Sequence, residues 1–425
     1  MSAAIGIRKT MKKYLSSGLL VLCSFSIYAS QCTTYIEQKN YDKAFAKCTR
    51  EAAKGSNKAQ YYLGIMYDIG KGVVQDQQKA LFWYTKAAEQ GNSSAQYNLA
   101  LRYYEGDGIE QNKQKAAYWF TKAADQGDAK GQYNLAFMYY NGDGIEQDKQ
   151  KAFVVYSKSA EQGILKAQYN LAIMYDEGDG TEQDKQKAVY WYTKAAEQDH
   201  PGAQYNLALK YYNGEGVEQD KQIAVYWYTK AAEQGESNAQ NNLAFMYYKG
   251  DGVEQDKQMA VYWYTKAAEQ GYANAQNNLA FMYNNGDEVE QDKPNAVYWY
   301  TKAAEQGHSS AQYNLALMYY SGDGIERDKQ KAVYWYTKAA EEGHSKAQYN
   351  LALMYYNGDG IDQDKQKAVD WYTKAAEQGY LSAQYNLATM YENGDGVKLN
   401  KSLANKYFKQ SCELGFETAC DKLKQ

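Results

Sequence analysis

Two helical rhythms run through this chain. From Gly131 to Tyr140, in "GQYNLAFMYY", the first, fifth and ninth positions form one column. At about 100° per residue those positions share a helix face. From Lys149 to Gln162, "KQKAFVVYSKSAEQ", a second segment runs in the same way to Gly163. Between the two, Gly142 can take the left-handed conformation that ends a helix. Asp148 stands where a side-chain oxygen caps the exposed N–H groups of the next helix. Pro294 falls near the start of another second helix, where a missing N–H matters little. The pattern predicts helix, elbow, helix, with no room for a strand.

The unit recurs every 36 residues, opening at Ala59, Ala95, Gly131, Ala167, Ala203, Ala239, Ala275, Ala311, Ala347 and Ala383. Ten full units fill residues 59–418. Residues 30–58 hold a capping half-repeat, and Ala419 opens a truncated cap, 419–425. No Ser/Gly/Pro-rich linker interrupts them, so one continuous array is expected. A two-helix unit cannot bury its apolar face alone and must stack on its neighbours. The fold class expected is all-α: an α/α superhelical solenoid, curved and right-handed.

The run "AQYNLALMYYNGDGIDQDKQKAVDWYTKAAEQG" (347–379) resembles the Sel-one-like repeat, a relative of the tetratricopeptide repeat. The match lies in Ala, Leu with a small residue, Tyr, Gly-x-Gly, Asp, Lys-Ala, Trp-Tyr, Lys-Ala-Ala and Gly, and it recurs over nearly the whole mature chain. The period of 36 also separates it from the 34-residue tetratricopeptide unit. The resemblance implies a superhelix serving as an adaptor for protein complexes. Most units carry Ala where the family commonly has Gly (Gly64 keeps it), and Val155 replaces Trp in one unit. "SCELGFETAC" (411–420) resembles the cysteine-rich, secreted branch of that family, in which this spacing forms a disulfide.

The copies differ from face to face. Leu is fifth in every unit, Tyr ninth, and Ala or Gly sixth. That face is the expected core seam, joined by Trp335, Tyr336, Ala339 and Ala340 of a second helix at core spacing. All eight Trp residues share one column and are expected to plug the core. Positions three, seven and ten form another face. Its residues include Tyr97, Leu101, Tyr104, Tyr133, Phe137, Tyr140, Tyr169, Tyr205, Tyr212, Tyr313, Tyr320, Tyr349 and Tyr356. Polar residues enter two of its columns, at Asn241, Asn277, Asp176, Asn284 and Glu392. A solvent-reaching, tyrosine-rich groove that binds a partner is one reading, since Tyr brings area and a hydroxyl at low entropic cost. Packing against adjacent first helices is the other. On the groove reading, cutting Tyr133, Tyr169 and Tyr205 back to Ala leaves the fold intact. Position four is Asn in nine units, either an inter-repeat ladder or a clamp for a peptide backbone.

The N-terminal residues have a basic start and an apolar stretch from Leu19 to Ala29, too short to span a bilayer comfortably. They read as a signal peptide, residues 1–29, or else as a retained anchor. Its removal takes away Arg8, Lys9, Lys12 and Lys13 and no acid, so the formal charge goes from −4 to −8. That acidity argues against nucleic-acid binding. Cys32, Cys48, Cys412 and Cys420 remain, at the two ends only. Export favours the pairs Cys32–Cys48 and Cys412–Cys420 over free buried thiols.

Chemistry-bearing residues are sparse. His200, His308 and His344 lie a full unit or more apart in inter-helix loops, which is no triad or zinc site. No C-x-x-C, P-loop or S-x-x-K constellation occurs. The acidic elbow "NGDGIDQD" (357–364) varies between copies: Lys71 and Val74 stand in the first, Glu288 replaces a glycine in another, and Lys398 stands in the last. Only the helix-stopping Gly and the capping Asp or Asn persist, and an EF-hand's twelfth residue would be Ala368, so that calcium loop is excluded. The expected function is a non-enzymatic scaffold, periplasmic or secreted, without cofactor or metal, that binds a protein. A glycan is the lesser possibility. The alternative is an envelope protein that binds peptidoglycan or β-lactam with weak hydrolase activity.

Overall fold

The computed structural model describes residues 30–286 and 290–424. The expected leader and Glu288 lie outside the described residues. Cα packing separates two compact units, one ending at Gln147 and one beginning at Asp148. Among the described residues there are 23 helices and no strand.

The first unit holds Gln31–Glu37 and Tyr41–Ala53, the pairs Asn57–Ile69 with Gln77–Glu89 and Ser93–Glu105 with Lys113–Asp125, and then Ala129–Asn141. The second opens with Lys149–Glu161. It proceeds pair by pair from Leu165–Glu177 with Lys185–Ala196 to Leu381–Asn393 with Lys401–Glu413, and closes with Glu417–Lys422. No helix among the described residues is long and apolar enough to cross a membrane.

The punctuation acts as its chemistry implies. First helices of the full repeats end on a left-handed glycine, for example Gly142 at φ 70°. Second helices start at a capping Asp or Asn; Asp148 Oδ1 accepts the Lys151 backbone N–H at 2.8 Å. The next glycine of the elbow has a further task. Gly180, at φ 76°, lies against the preceding repeat, where a Cβ would sit 2.4 Å from the Lys149 carbonyl oxygen.

The core is built from the first, fifth and sixth positions, all buried, with Met at position eight in most repeats. The ninth-position Tyr is only half-buried. The tryptophans are half-buried too, apart from Trp263, and this corrects the expectation that they plug the core. The plug is the next residue, as in Tyr84, Phe120, Tyr228 and Tyr336. It shares the face of buried Ala332, Ala339 and Ala340, whereas Trp335 is turned by one residue, about 100°.

A buried glutamine ladder, which the sequence reading did not anticipate, ties repeat to repeat at position two. Gln240 Nε2 donates to the Ala232 carbonyl at 3.0 Å, and its Oε1 accepts from Gln270 Nε2 at 2.8 Å. Thirty residues after Gln312 and Gln384 stand Glu342 and Leu414 instead of Gln. Gln312 Oε1 and Gln384 Oε1 are buried without a partner. Glu342→Gln supplies the missing donor and is expected to raise stability by about 1 kcal/mol. An unchanged urea midpoint would count against the ladder.

Of the two readings left open for the cysteines, the structure has the bonded one. Cys32 is joined to Cys48 within the N-terminal helix pair, and Cys412 to Cys420 across the last two helices.

Candidate functional site

The face singled out above is carried by first helices in each unit, and its three columns behave differently. Position three is half-buried. The Tyr97 ring lies 5.9 Å from Phe120, Tyr205 5.9 Å from Tyr228, and Tyr349 5.7 Å from Tyr372, each on the same repeat's second helix. The residue that caps the next first helix covers the other side: His200 stacks on Tyr169 at 4.3 Å and His344 on Tyr313 at 4.7 Å. These rings are structural as well as available. Tyr169, packed between Tyr192 and His200, and Tyr205, packed on Tyr228, are each expected to lower stability when cut to Ala, because truncation opens a void. Position four is an inter-repeat rung: Asn350 Nδ2 donates to the Tyr336 hydroxyl and Asn386 Nδ2 to that of Tyr372, both at 3.1 Å.

Position ten forms a clasp with the next elbow. Tyr104 donates to Asp143 at 2.8 Å, Tyr212 to Asp251 at 3.0 Å, Tyr320 to Asp359 at 2.9 Å and Tyr356 to Asp395 at 2.8 Å. A lysine that opens the intervening second helix joins each carboxylate, as Lys113 does Asp143 and Lys221 does Asp251, both at 2.7 Å. Burial and the Asp143 acceptor push the Tyr104 hydroxyl up to about 12. The Lys221 ammonium, outweighing burial and helped by Tyr212, holds the Asp251 carboxyl below its usual range. The elbow acids therefore join repeats. Among the described residues, no group of three or more His, Cys, Asp or Glu is placed to hold a metal ion.

Position seven points out furthest. Phe137, Phe245, Phe281, Leu317 and Leu353 are 38%, 41%, 43%, 37% and 37% exposed; Leu101 is half-buried. Tyr133 and Tyr140, flanking Phe137 in sequence, are half-buried. Between the first helices Ser309–Ser321 and Ser345–Asn357 this face opens into a cavity of about 240 Å³. It is lined by Leu317 and Leu353 together with Tyr320, Tyr336, Asn350, Met354, Asn357 and Asp359.

A second exposed column lies on the second helices and was missed. Tyr118, Tyr190, Tyr226, Tyr262, Tyr298 and Tyr334 are about half exposed. Each ring meets the neighbouring Trp edge-on, at 4.9 Å for Tyr226 with Trp227. The signal was present in the run Val-Tyr-Trp-Tyr, whose three aromatics face three directions.

Two buried cations were missed as well. Arg102 and Lys210 occupy position eight, 5% and 4% exposed, where other repeats have Met. Each follows a repeat with Asp at position ten. Arg102 meets Asp68 at 2.5 Å, and Lys210 meets Asp176 at 2.7 Å and Glu215 at 2.8 Å. The pairing of an acid with a base across 34 residues was readable by comparing copies.

The three histidines cap first helices. Nδ1 of His200, His308 and His344 accepts the backbone N–H of Ala203, Ala311 and Ala347 at 3.1, 3.2 and 3.2 Å. Burial lowers all three pKa values below the ordinary 6.5, aided by Lys166 at His200 and Lys346 at His344. The unfolded chain then binds more protons than the folded one. This contribution is intact above about pH 6.5 and is lost as pH falls below it. The urea midpoint of the second unit is expected to drop from pH 7 to pH 5. Replacing all three by Asn, the cap found at Asn92, should flatten that dependence; an unchanged slope would refute it.

The family model of the Sel1 repeat matches ten consecutive segments: 57–92, 93–128, 129–164, 165–200, 201–236, 237–272, 273–308, 309–344, 345–380 and 381–416. Among solved structures, c5321 is described as a protective antigen present in uropathogenic Escherichia coli strains displaying an SLR fold. It is 37% identical with a TM-score of 0.80, over 89% of this chain and 81% of that one. A Sel1 repeat protein from Oxalobacter formigenes is 34% identical with a TM-score of 0.61, over 72% of this chain and 90% of that one. No curated protein matches the chain.

Proposed function

The chain belongs to the Sel1 repeat family, and from that premise we propose that it is an exported, non-catalytic scaffold holding a protein partner along its first-helix face. Sel1 repeat proteins are in general protein-interaction scaffolds. The choice of face rests on one observation: in the unit that begins at Asp148, position seven projects the apolar side chains of Phe245, Phe281, Leu317 and Leu353, about four-tenths exposed. Each such side chain gains on the order of 25 cal/mol per Å² of apolar area that a partner covers. Position-three and position-ten tyrosines, held by their stacking and clasps, border that column as rigid walls, which lowers the entropic cost of binding.

Bonded cysteine pairs at both ends suit an oxidising compartment, and with the leader expected at residues 1–29 they support the periplasm or the extracellular space. The formal charge of −8 that remains after the expected leader favours protein over nucleic acid. The test is quantitative capture of the co-purifying envelope partner. Phe245→Ser with Phe281→Ser is expected to abolish it, and Tyr226→Ser with Tyr262→Ser, on the second-helix column, to leave it intact. The opposite pattern would move the site to the second helices.

A further inference from the structure

We propose that the Cys412–Cys420 bond is a reducible latch on the last helix, Glu417–Lys422, which a dithiol opens while the Cys32–Cys48 bond stays closed.

The two bonds differ first in access. Cys32 and Cys48 are 0% exposed, whereas Cys412 and Cys420 are half-buried. A disulfide opens by attack of a thiolate on one of its sulfurs, so access governs which bond exchanges.

They differ next in what else holds the helices they join. Gln31–Glu37 buries Cys32 and Thr33 and packs Tyr35 and Ile36 on the core. Its start is fastened to the next helix by Glu51, which accepts from the Ser30 hydroxyl and from the Cys32 backbone N–H at 3.2 Å. Glu417–Lys422 buries Ala419 alone, and Phe416 before it provides no side-chain cap. Its other side-chain ties are Phe416, whose ring lies 5.1 Å from Tyr385, and Lys422, which meets Glu392 at 2.8 Å. Leu414, where most repeats have the Gln of the buried ladder, leaves the end of Lys401–Glu413 without that rung just beyond Cys412. Six residues are too few to persist as a helix unaided.

The consequence of reduction differs accordingly. Packing keeps the Cys32 and Cys48 thiols side by side, and their high local concentration favours the bond. Reduced Cys420 leaves with its helix, the local concentration falls, and the open form is favoured. In the exchange, one thiolate of the dithiol bonds to one cysteine sulfur and expels the other as a thiolate, which takes up a proton. The second thiol of the reductant then displaces the first cysteine, and the dithiol departs as a disulfide. Two electrons pass to Cys412 and Cys420. Release of the helix uncovers Phe408, 2% exposed when latched, and the half-buried Tyr385 beside it.

The test equilibrates the oxidised full chain in dithiothreitol buffers of stepped reduced-to-oxidised ratio, alkylates free thiols at each step and identifies the peptides by mass spectrometry. Cys412–Cys420 is expected to be half-reduced at a ratio at least about tenfold lower than Cys32–Cys48. At that ratio amide exchange over residues 416–424 should quicken by at least about tenfold, with the helices up to Ser345–Asn357 unchanged. Cys412→Ser with Cys420→Ser should show the same fast exchange without reductant. Cys32–Cys48 opening first or at the same ratio overturns the latch. Slow exchange over 416–424 in the reduced protein or in the serine variant overturns it too. So does lost protection along the whole unit that begins at Asp148, which would make the bond a support of the fold.

Discussion

Lys210→Met lowers the stability of the unit that begins at Asp148 by about 2–4 kcal/mol, and adding Asp176→Tyr restores it to within about 1 kcal/mol of the wild type. Lys210 is buried between Asp176 and Glu215, with Lys185 at 2.6 Å from Asp176. Removing the ammonium alone leaves Asp176 with one cationic partner where it had two, and desolvated charge is costly. The double variant writes the sequence of the neighbouring junction, where Tyr212 is followed by Met246 and clasps Asp251. The tyrosine introduced by the second substitution would find Glu215 in that role. Urea unfolding of the single and double variants checks the cycle, and a double variant less stable than Lys210→Met would contradict it.

Gly180→Ala is expected to cost about 3 kcal/mol, against about 1 kcal/mol for Gly163→Ala. Both glycines have positive φ, 76° and 86°. A Cβ at Gly163 meets nothing within 4 Å, whereas one at Gly180 meets the Lys149 carbonyl oxygen at 2.4 Å and its carbon at 2.7 Å. The difference isolates close approach between repeats from backbone conformation. Equal losses would mean that the elbow does not set how repeats stack.

What was legible in the sequence is what local backbone chemistry dictates. Gly142 and Asp148 mark a helix stop and a start by conformation and capping alone, and the 36-residue period turns those signals into an array. The cysteine pairs were legible because one lies within the N-terminal cap and the other joins the last full repeat to the C-terminal cap eight residues on. The facing of Trp335 against Tyr336 was not, since adjacent large aromatics differ only by a rotation of about 100°. Glutamine at position two reads as polar surface until Ala232 and Gln270 are placed around Gln240. The candidate face was located by columns, but the roles within it changed. Tyr320 and Tyr212 are clasps, Tyr169 and Tyr205 are wedges, and Phe245 and Phe281 project. Projection depends on packing against the next repeat, which no single helix pattern encodes.

The most direct test of the proposed function places a photo-crosslinking amino acid at Phe245 or Phe281, and in parallel at Tyr226 or Tyr262, in the full chain expressed in its own cells. The account predicts one and the same protein joined from both first-helix positions and not from the second-helix positions. Adducts from Tyr226 and Tyr262 alone, or from none of the four, would contradict it.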